Sequence, residues 1–140
     1  MKKILTIILF CVSASLFSQV KPVNFKECKY DMLFVSAEVQ PQWKDSLSLV
    51  TYLNHYFEKH SFQLNKEVNG KIVLGIIIYE DGHTCCESFF NLTNIHLDPE
   101  HFKNAVNEMP KWIPAKQHDK ETIFLKNQII EIKGGIFSAI

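Results

Sequence analysis

The run from Lys71 to Tyr79, KIVLGIIIY, constrains the fold more than any other stretch of the chain. As a strand it points Ile72, Leu74, Ile76 and Ile78 to one face and Val73, Gly75, Ile77 and Tyr79 to the other. A strand apolar on both faces belongs in the middle of a sheet with both sides covered. Asn69-Gly70 punctuates its start, and Glu80-Asp81-Gly82 supplies a turn signal at its end.

The rest of the chain is read outward from this strand. Upstream, the spacing of Leu47, Val50, Leu53, Asn54 and Phe57 predicts a helix from Ser46 to Lys59, with Asp45 or Ser46 as its N-cap. His55, Glu58 and Lys59 fall on the opposite side. Downstream of the turn, a second strand from His83 to Asn91 closes a β-hairpin. Asp98-Pro99-Glu100 opens a second helix: Asp as N-cap, Pro at the first helical position, Glu in the first turn. Phe102, Ala105, Val106 and Met109 form its buried stripe, and Pro110 ends it. His118-Asp119-Lys120 is a polar turn. A third strand, Glu121 to Lys133, follows and stops at Gly134-Gly135.

The predicted order is therefore α-β-β-α-β, an α+β fold with a three-stranded, antiparallel-containing sheet and two helices packed on it. With the most apolar strand placed between the other two, the second strand, second helix and third strand form a split βαβ unit, right-handed by the chirality of crossovers. The third strand is then an edge, and its backbone N–H and C=O groups are open to another chain.

The first residues read as a targeting segment. Met1-Lys2-Lys3 is a positive region, Ile4 to Val12 is an apolar core, and Ser13, Ala14, Ser15 and Ser18 are small. This is the anatomy of a secretory signal peptide with cleavage near Ser18-Gln19. The apolar run is short for a membrane span, which favours cleavage and leaves an uncleaved inner-membrane anchor as the alternative. The chain divides into a signal peptide over residues 1–18, a leader over 19–34 and a single domain over 35–140, placed in the periplasm or secreted. Membrane contact is expected only through the signal segment, if it is uncleaved. All 15 basic residues are Lys. Readers of nucleic acid and phosphate lean on the bidentate Arg fork, which excludes nucleic acid as an expected partner.

Three cysteines follow the signal: Cys28, Cys85 and Cys86. In an exported chain they suggest one disulfide and a spare. Adjacent cysteines rarely bond each other, which favours a bridge from Cys28 to either Cys85 or Cys86. The same region offers the most reactive-looking cluster, His83-Thr84-Cys85-Cys86-Glu87. His, Cys and Glu all bind Zn²⁺, with His96 or His101 as further ligands. A small metal-binding or thiol protein centred on His83, Cys85 and Cys86 is thus the alternative functional reading. Neighbours on a strand point to opposite faces, however, and no CxxC or HExxH spacing occurs. No paired carboxylates or nucleophile motif invite a catalytic assignment. No metal or other cofactor is assigned, and an enzyme is not expected.

The segment from Asn69 to Lys133 resembles the C-terminal domain of TonB-type energy transducers, in the form found in many Bacteroidetes proteins. The matching motifs are Asn69-Gly70-Lys71-Ile72, Glu80-Asp81-Gly82, Leu97-Asp98 and the run Met109-Pro110-Lys111-Trp112-Ile113-Pro114-Ala115-Lys116-Gln117, the most specific of the four. Upstream, Glu38-Val39-Gln40-Pro41-Gln42-Trp43 is similar to the family's entry motif, although its Gly-Gly is replaced by Lys44-Asp45. Cys85-Cys86 also departs from the family's small polar residues. The resemblance implies a non-enzymatic protein-binding module whose last strand pairs with a partner segment by β-augmentation. The implied docking edge is Thr122, Ile123, Phe124, Leu125, Lys126, Asn127, Gln128, Ile129 and Ile130, within a stretch from Thr122 to Ile132. The implied partner is a protein: a segment of an outer-membrane transporter, or a second copy of the chain as a homodimer mate, in envelope transport or signalling. With a cleaved signal and a short leader, the chain is not expected to transmit force as transducers do.

Overall fold

The computed structural model describes residues 20–140, and the expected signal peptide over residues 1–18 lies outside them. In chain order the elements are β1 (Val23–Asn24), α1 (Leu49–Lys59), β2 (Gly70–Ile78), β3 (Thr84–Thr93), α2 (Pro99–Asn107), β4 (Ala115–Gln117), β5 (Lys120–Thr122), β6 (Phe124–Lys133) and β7 (Ile136–Ser138). The fold is α+β, with two helices and a largely antiparallel sheet.

The central run does take the middle of the main sheet, whose order is β1-β3-β2-β6-β7. β2 is antiparallel to β3 on one side and to β6 on the other, so β3 and β6 run parallel with β2 between them. The expected sheet of three strands is corrected to five, and a separate hairpin joins β4 to β5. Both extra strands of the main sheet come from short pieces that periodicity does not reveal. Val23–Asn24 pairs with Phe89 and Ser88, and Ile136–Ser138 pairs with Lys133 back to Glu131.

Gly134-Gly135 therefore does not simply end β6. It turns the chain back on itself. Both glycines have positive φ, 57° and 75°. A two-residue hairpin of this kind requires that conformation at both positions, and glycine adopts it without a Cβ clash. The β4–β5 turn makes the same demand of His118 and Asp119, at φ 50° and 61°, which fits the polar turn expected there.

Both helices lie on one face. Ile72, Leu74, Ile76 and Ile78 are fully buried there with Leu53, Tyr56 and Phe57 of α1 and Phe102, Ala105 and Val106 of α2. Phe57 sits 5.1 Å from Phe102 and 5.0 Å from Phe137, and Phe102 stacks on Phe89 at 4.5 Å, all centroid to centroid. Burying each such side chain is worth about 1.5–3 kcal/mol, so this cluster is the main source of stability.

The α1 cap differs from expectation. Ser48 caps the helix, its Oγ accepting from Thr51 N–H at 3.1 Å, while Asp45 accepts from Leu47 N–H in the turn before it. Leu47, placed on the buried stripe from sequence, thus precedes the helix and is exposed, and Tyr56 takes a core position instead. The α2 reading holds: Asp98 is the N-cap and Pro99 opens the helix.

The second face of β2 carries neither of the described helices. Val73 is half-buried there, while Leu92 and Ile129 on the neighbouring strands are exposed. Ile77 is nonetheless fully buried, flanked by its ladder partners Cys85 and Leu125. Its cover is the leader.

Candidate functional site

The described part of the leader is tied to the sheet at several points. Phe25 is buried in the core edge, its N–H donating to Glu87 C=O at 2.8 Å. Lys103 Nζ lies over the Phe25 ring and pairs with Glu27 at 2.9 Å and Glu100 at 2.7 Å. Cys28 is disulfide-bonded to Cys85, with 5.8 Å between Cα atoms. That fixes which member of the adjacent pair forms the bridge. From there the chain spans β2 as a strap. Lys29 N–H donates to the Tyr79 hydroxyl and the Tyr30 hydroxyl to Glu87. At the far side Phe34 lies parallel to β6 opposite Phe124: its N–H donates to Ile123 C=O and its C=O accepts from Leu125 N–H, both at 2.9 Å. The chain then continues along β4, with bridges from Val39 to Lys116 and from Gln42 to Ile113.

These two Phe34 bonds set the phase of β6. In a strand the N–H and C=O of one residue point the same way, and successive residues alternate. Leu125 N–H faces away from β2, so the odd-numbered residues of β6 face the outer edge and the even-numbered ones pair with β2. Lys126, Gln128 and Ile130 accordingly stand opposite Ile76, Leu74 and Ile72. At the outer edge, Phe34 occupies the Ile123 C=O and the Leu125 N–H, and β7 occupies Glu131 and Lys133. Between them, the Leu125 C=O and the N–H and C=O of Asn127 and Ile129 have no backbone partner among the described residues. The Ile129 C=O receives only the weak side-chain contact of the adjacent Gln128, at 3.3 Å.

The expected docking edge is thus corrected in extent. β6 is not the terminal strand of the sheet, because β7 covers its end from Glu131 to Lys133. Thr122 belongs to β5 and pairs with Ala115. Ile123 and half of Leu125 are taken by the strap, and the Phe124 and Ile130 side chains are buried. The open part is short and central, Leu125 to Ile129. Its flanks differ by face. Ile129 is half exposed on the helix-free side with Leu125, and Lys126 and Gln128 project on the other.

The second candidate cluster does not converge. His83 Nδ1 is paired with Asp81 and the ring stacks on Tyr79 at 4.2 Å. The backbone N–H of His83, and then its imidazole, hold the Asp81 carboxyl below its ordinary range. Cys85 is consumed by the disulfide, and Glu87 accepts from Tyr30. Cys86 faces the opposite side, buried in the helix-side core, and donates to Ser88 C=O. Burial, the main cause, pushes its thiol up to about 12. His96 is exposed, and His101 packs its ring on Phe62 at 3.7 Å beside Asp98. His60 is partly buried and stacked on Tyr56 at 4.1 Å.

No protein-family model, no curated protein and no solved structure matches this chain. No described helix is long and apolar enough to cross a membrane.

Proposed function

We propose that this chain is an exported, non-enzymatic binding module of the TonB C-terminal type, working in the periplasm or outside the cell in envelope transport or signalling. Its centre of action is β6, which takes an extended segment of a partner protein alongside Leu125 to Ile129. The observation that carries this reading is the gap in the outer ladder of β6: five backbone groups in register, with a hydrogen-bonded neighbour at each end and no backbone partner between among the described residues. Unpaired strand edges of this kind are where proteins add a strand from a partner. Main-chain bonds supply affinity there, and the flanking Leu125, Ile129, Lys126 and Gln128 side chains supply selection. The Cys28–Cys85 disulfide fits an oxidising compartment. The motif run from Met109 to Gln117, on which the resemblance chiefly rests, puts Trp112 in the core, edge-to-face with Trp43 at 5.3 Å, and leads directly into the β4–β5 hairpin.

The test is capture of partners from cell-envelope extracts by the wild-type protein and by Asn127→Pro. That substitution removes the outward N–H at the middle of the gap and leaves the β2 ladder intact. Loss of a specific captured protein with the proline variant is the expected result. Equal recovery by both forms would sink edge pairing.

A further inference from the structure

We infer that the Cys28–Cys85 disulfide is a latch holding an autoinhibitory strap, residues 28–34, across the sheet, and that its reduction by a dithiol lengthens the open edge of β6. Two observations on opposite sides of β2 carry this. At one end the strap is tied covalently to β3. At the other its Phe34 backbone occupies two edge groups, Ile123 C=O and Leu125 N–H, at one end of the gap. The strap thus competes with any strand that pairs along β6.

Between the anchors the strap is weakly held. Tyr30 and Met32 are exposed, at 39% and 66%. The ties are the Lys29 bond to the Tyr79 hydroxyl and the Tyr30 bond to Glu87. Each such exposed bond contributes little, because water replaces it readily. The segments outside the strap are anchored independently. Phe25 and Glu27 are held by Lys103 on one side, and Val39 and Gln42 by their bridges to Lys116 and Ile113 on the other. Opening is therefore confined to the strap and does not unravel the sheet.

The chemistry balances simply. One thiolate of the dithiol attacks Sγ of Cys28 or Cys85, both residues being partly exposed, and forms a mixed disulfide. The second thiol closes the reagent's own disulfide and releases the protein. Two electrons and two protons pass to Cys28 and Cys85. Cys86 takes no part, since its thiol is buried on the opposite face. The freed strap uncovers Ile77 and returns Ile123 C=O and Leu125 N–H to the edge, which then runs open from Ile123 to Ile129.

Hydrogen exchange on the full chain, oxidised and then reduced with dithiothreitol, tests this without any partner. The latch therefore stands or falls separately from the docking role of β6. Reduction, or Cys28→Ser, is expected to speed exchange at the Phe34 and Leu125 amides by about tenfold or more while Leu74 and Ile76 keep their protection. Unchanged protection at Phe34 and Leu125 would overturn the latch. So would uniform loss across the sheet, which would make the disulfide a general staple.

Discussion

The side-chain amide of Asn54 pairs with the backbone of Phe137 as a neighbouring strand would. Its Nδ2 donates to Phe137 C=O and its Oδ1 accepts from Phe137 N–H, both at 3.0 Å. Phe137 is the residue of β7 whose backbone groups face away from β6. One helix side chain therefore closes the outer edge of β7 at Phe137, while the central gap of β6 stays open among the described residues. Asn54→Ala strands both Phe137 groups in a partly buried site. An unpaired buried polar group costs about 1–3 kcal/mol. The variant is expected to unfold at lower urea, with faster exchange at the Phe137 amide. An unchanged midpoint would show that water satisfies these groups.

The β6–β7 turn makes an ordered prediction at two adjacent glycines. A Cβ at Gly135 would lie 2.6 Å from Asn65 C=O oxygen and 2.8 Å from that of Leu64, while one at Gly134 would meet nothing closer than Lys66 oxygen at 3.8 Å. Both positions have positive φ, which by itself costs an L-residue about 1 kcal/mol. Gly135→Ala is therefore expected to destabilise clearly more than Gly134→Ala in matched urea titrations. The reverse order would mean that the 64–65 backbone yields easily.

The sequence made the framework legible and left the edges obscure, for a physical reason. β2, β3, β6 and both helices are long enough for a period of 2 or 3.6 to repeat, and the Asp98-Pro99 cap declares itself. The strap, β1 and β7 are pieces of two or three residues, too short for any period. They are fixed by tertiary contacts: Phe25 under Lys103, Cys28 on Cys85, Phe34 beside Phe124, Phe137 on Asn54. The one local signal that could have revealed β7 is Gly134-Gly135 between two apolar runs, a hairpin pattern. The choice of Cys85 over Cys86 was likewise a matter of facing. Opposite Ile77, Cys85 points to the helix-free side that the leader crosses, and Cys86 points into the core.

That leader is part of the folded unit, which changes where the domain begins. A chain trimmed to residues 35–140 loses Phe25 from the core, the disulfide and the cover over Ile77. Removing a buried Phe side chain alone costs about 3–5 kcal/mol at a fully enclosed site, and a disulfide typically contributes about 2–4 kcal/mol. The trimmed chain is expected to melt well below the chain that retains residues 20–34. Coincident melting curves would show that the leader merely rests on the sheet.

Stability should fall on the alkaline side. The Cys86 thiol is raised by burial from 9.0 to about 12, and Tyr56 from 10.0 to about 12, chiefly by burial and then by Glu108; Tyr52 is raised further still. Between the ordinary and the raised values the unfolded chain has released protons that the folded chain keeps, so rising pH favours unfolding. The contribution is complete below about pH 9 and is lost progressively above it. Urea midpoints at pH 7, 8.5 and 10 are expected to drop at the last step, and less so in Cys86→Ala relative to its own value at pH 7. A flat profile to pH 10 would refute the burial of these groups.

The alternation of β6 predicts opposite fates for prolines at adjacent positions. Asn127 directs its N–H outward into the gap, and Gln128 directs its N–H to β2 opposite Leu74. Proline lacks an N–H and is tolerated in sheets chiefly where that group faces away from the ladder. Asn127→Pro is therefore expected to leave a folded protein with a modest loss of stability, because only its fixed φ disturbs the strand. Gln128→Pro removes a bond from the centre of the sheet and drives the proline ring toward β2, beside the fully buried Leu74. That variant is expected to be largely unfolded. Far-ultraviolet circular dichroism and urea midpoints distinguish the two. Equal damage from both would mean that the Asn127 N–H already has a partner, and the gap on which edge pairing depends would be closed.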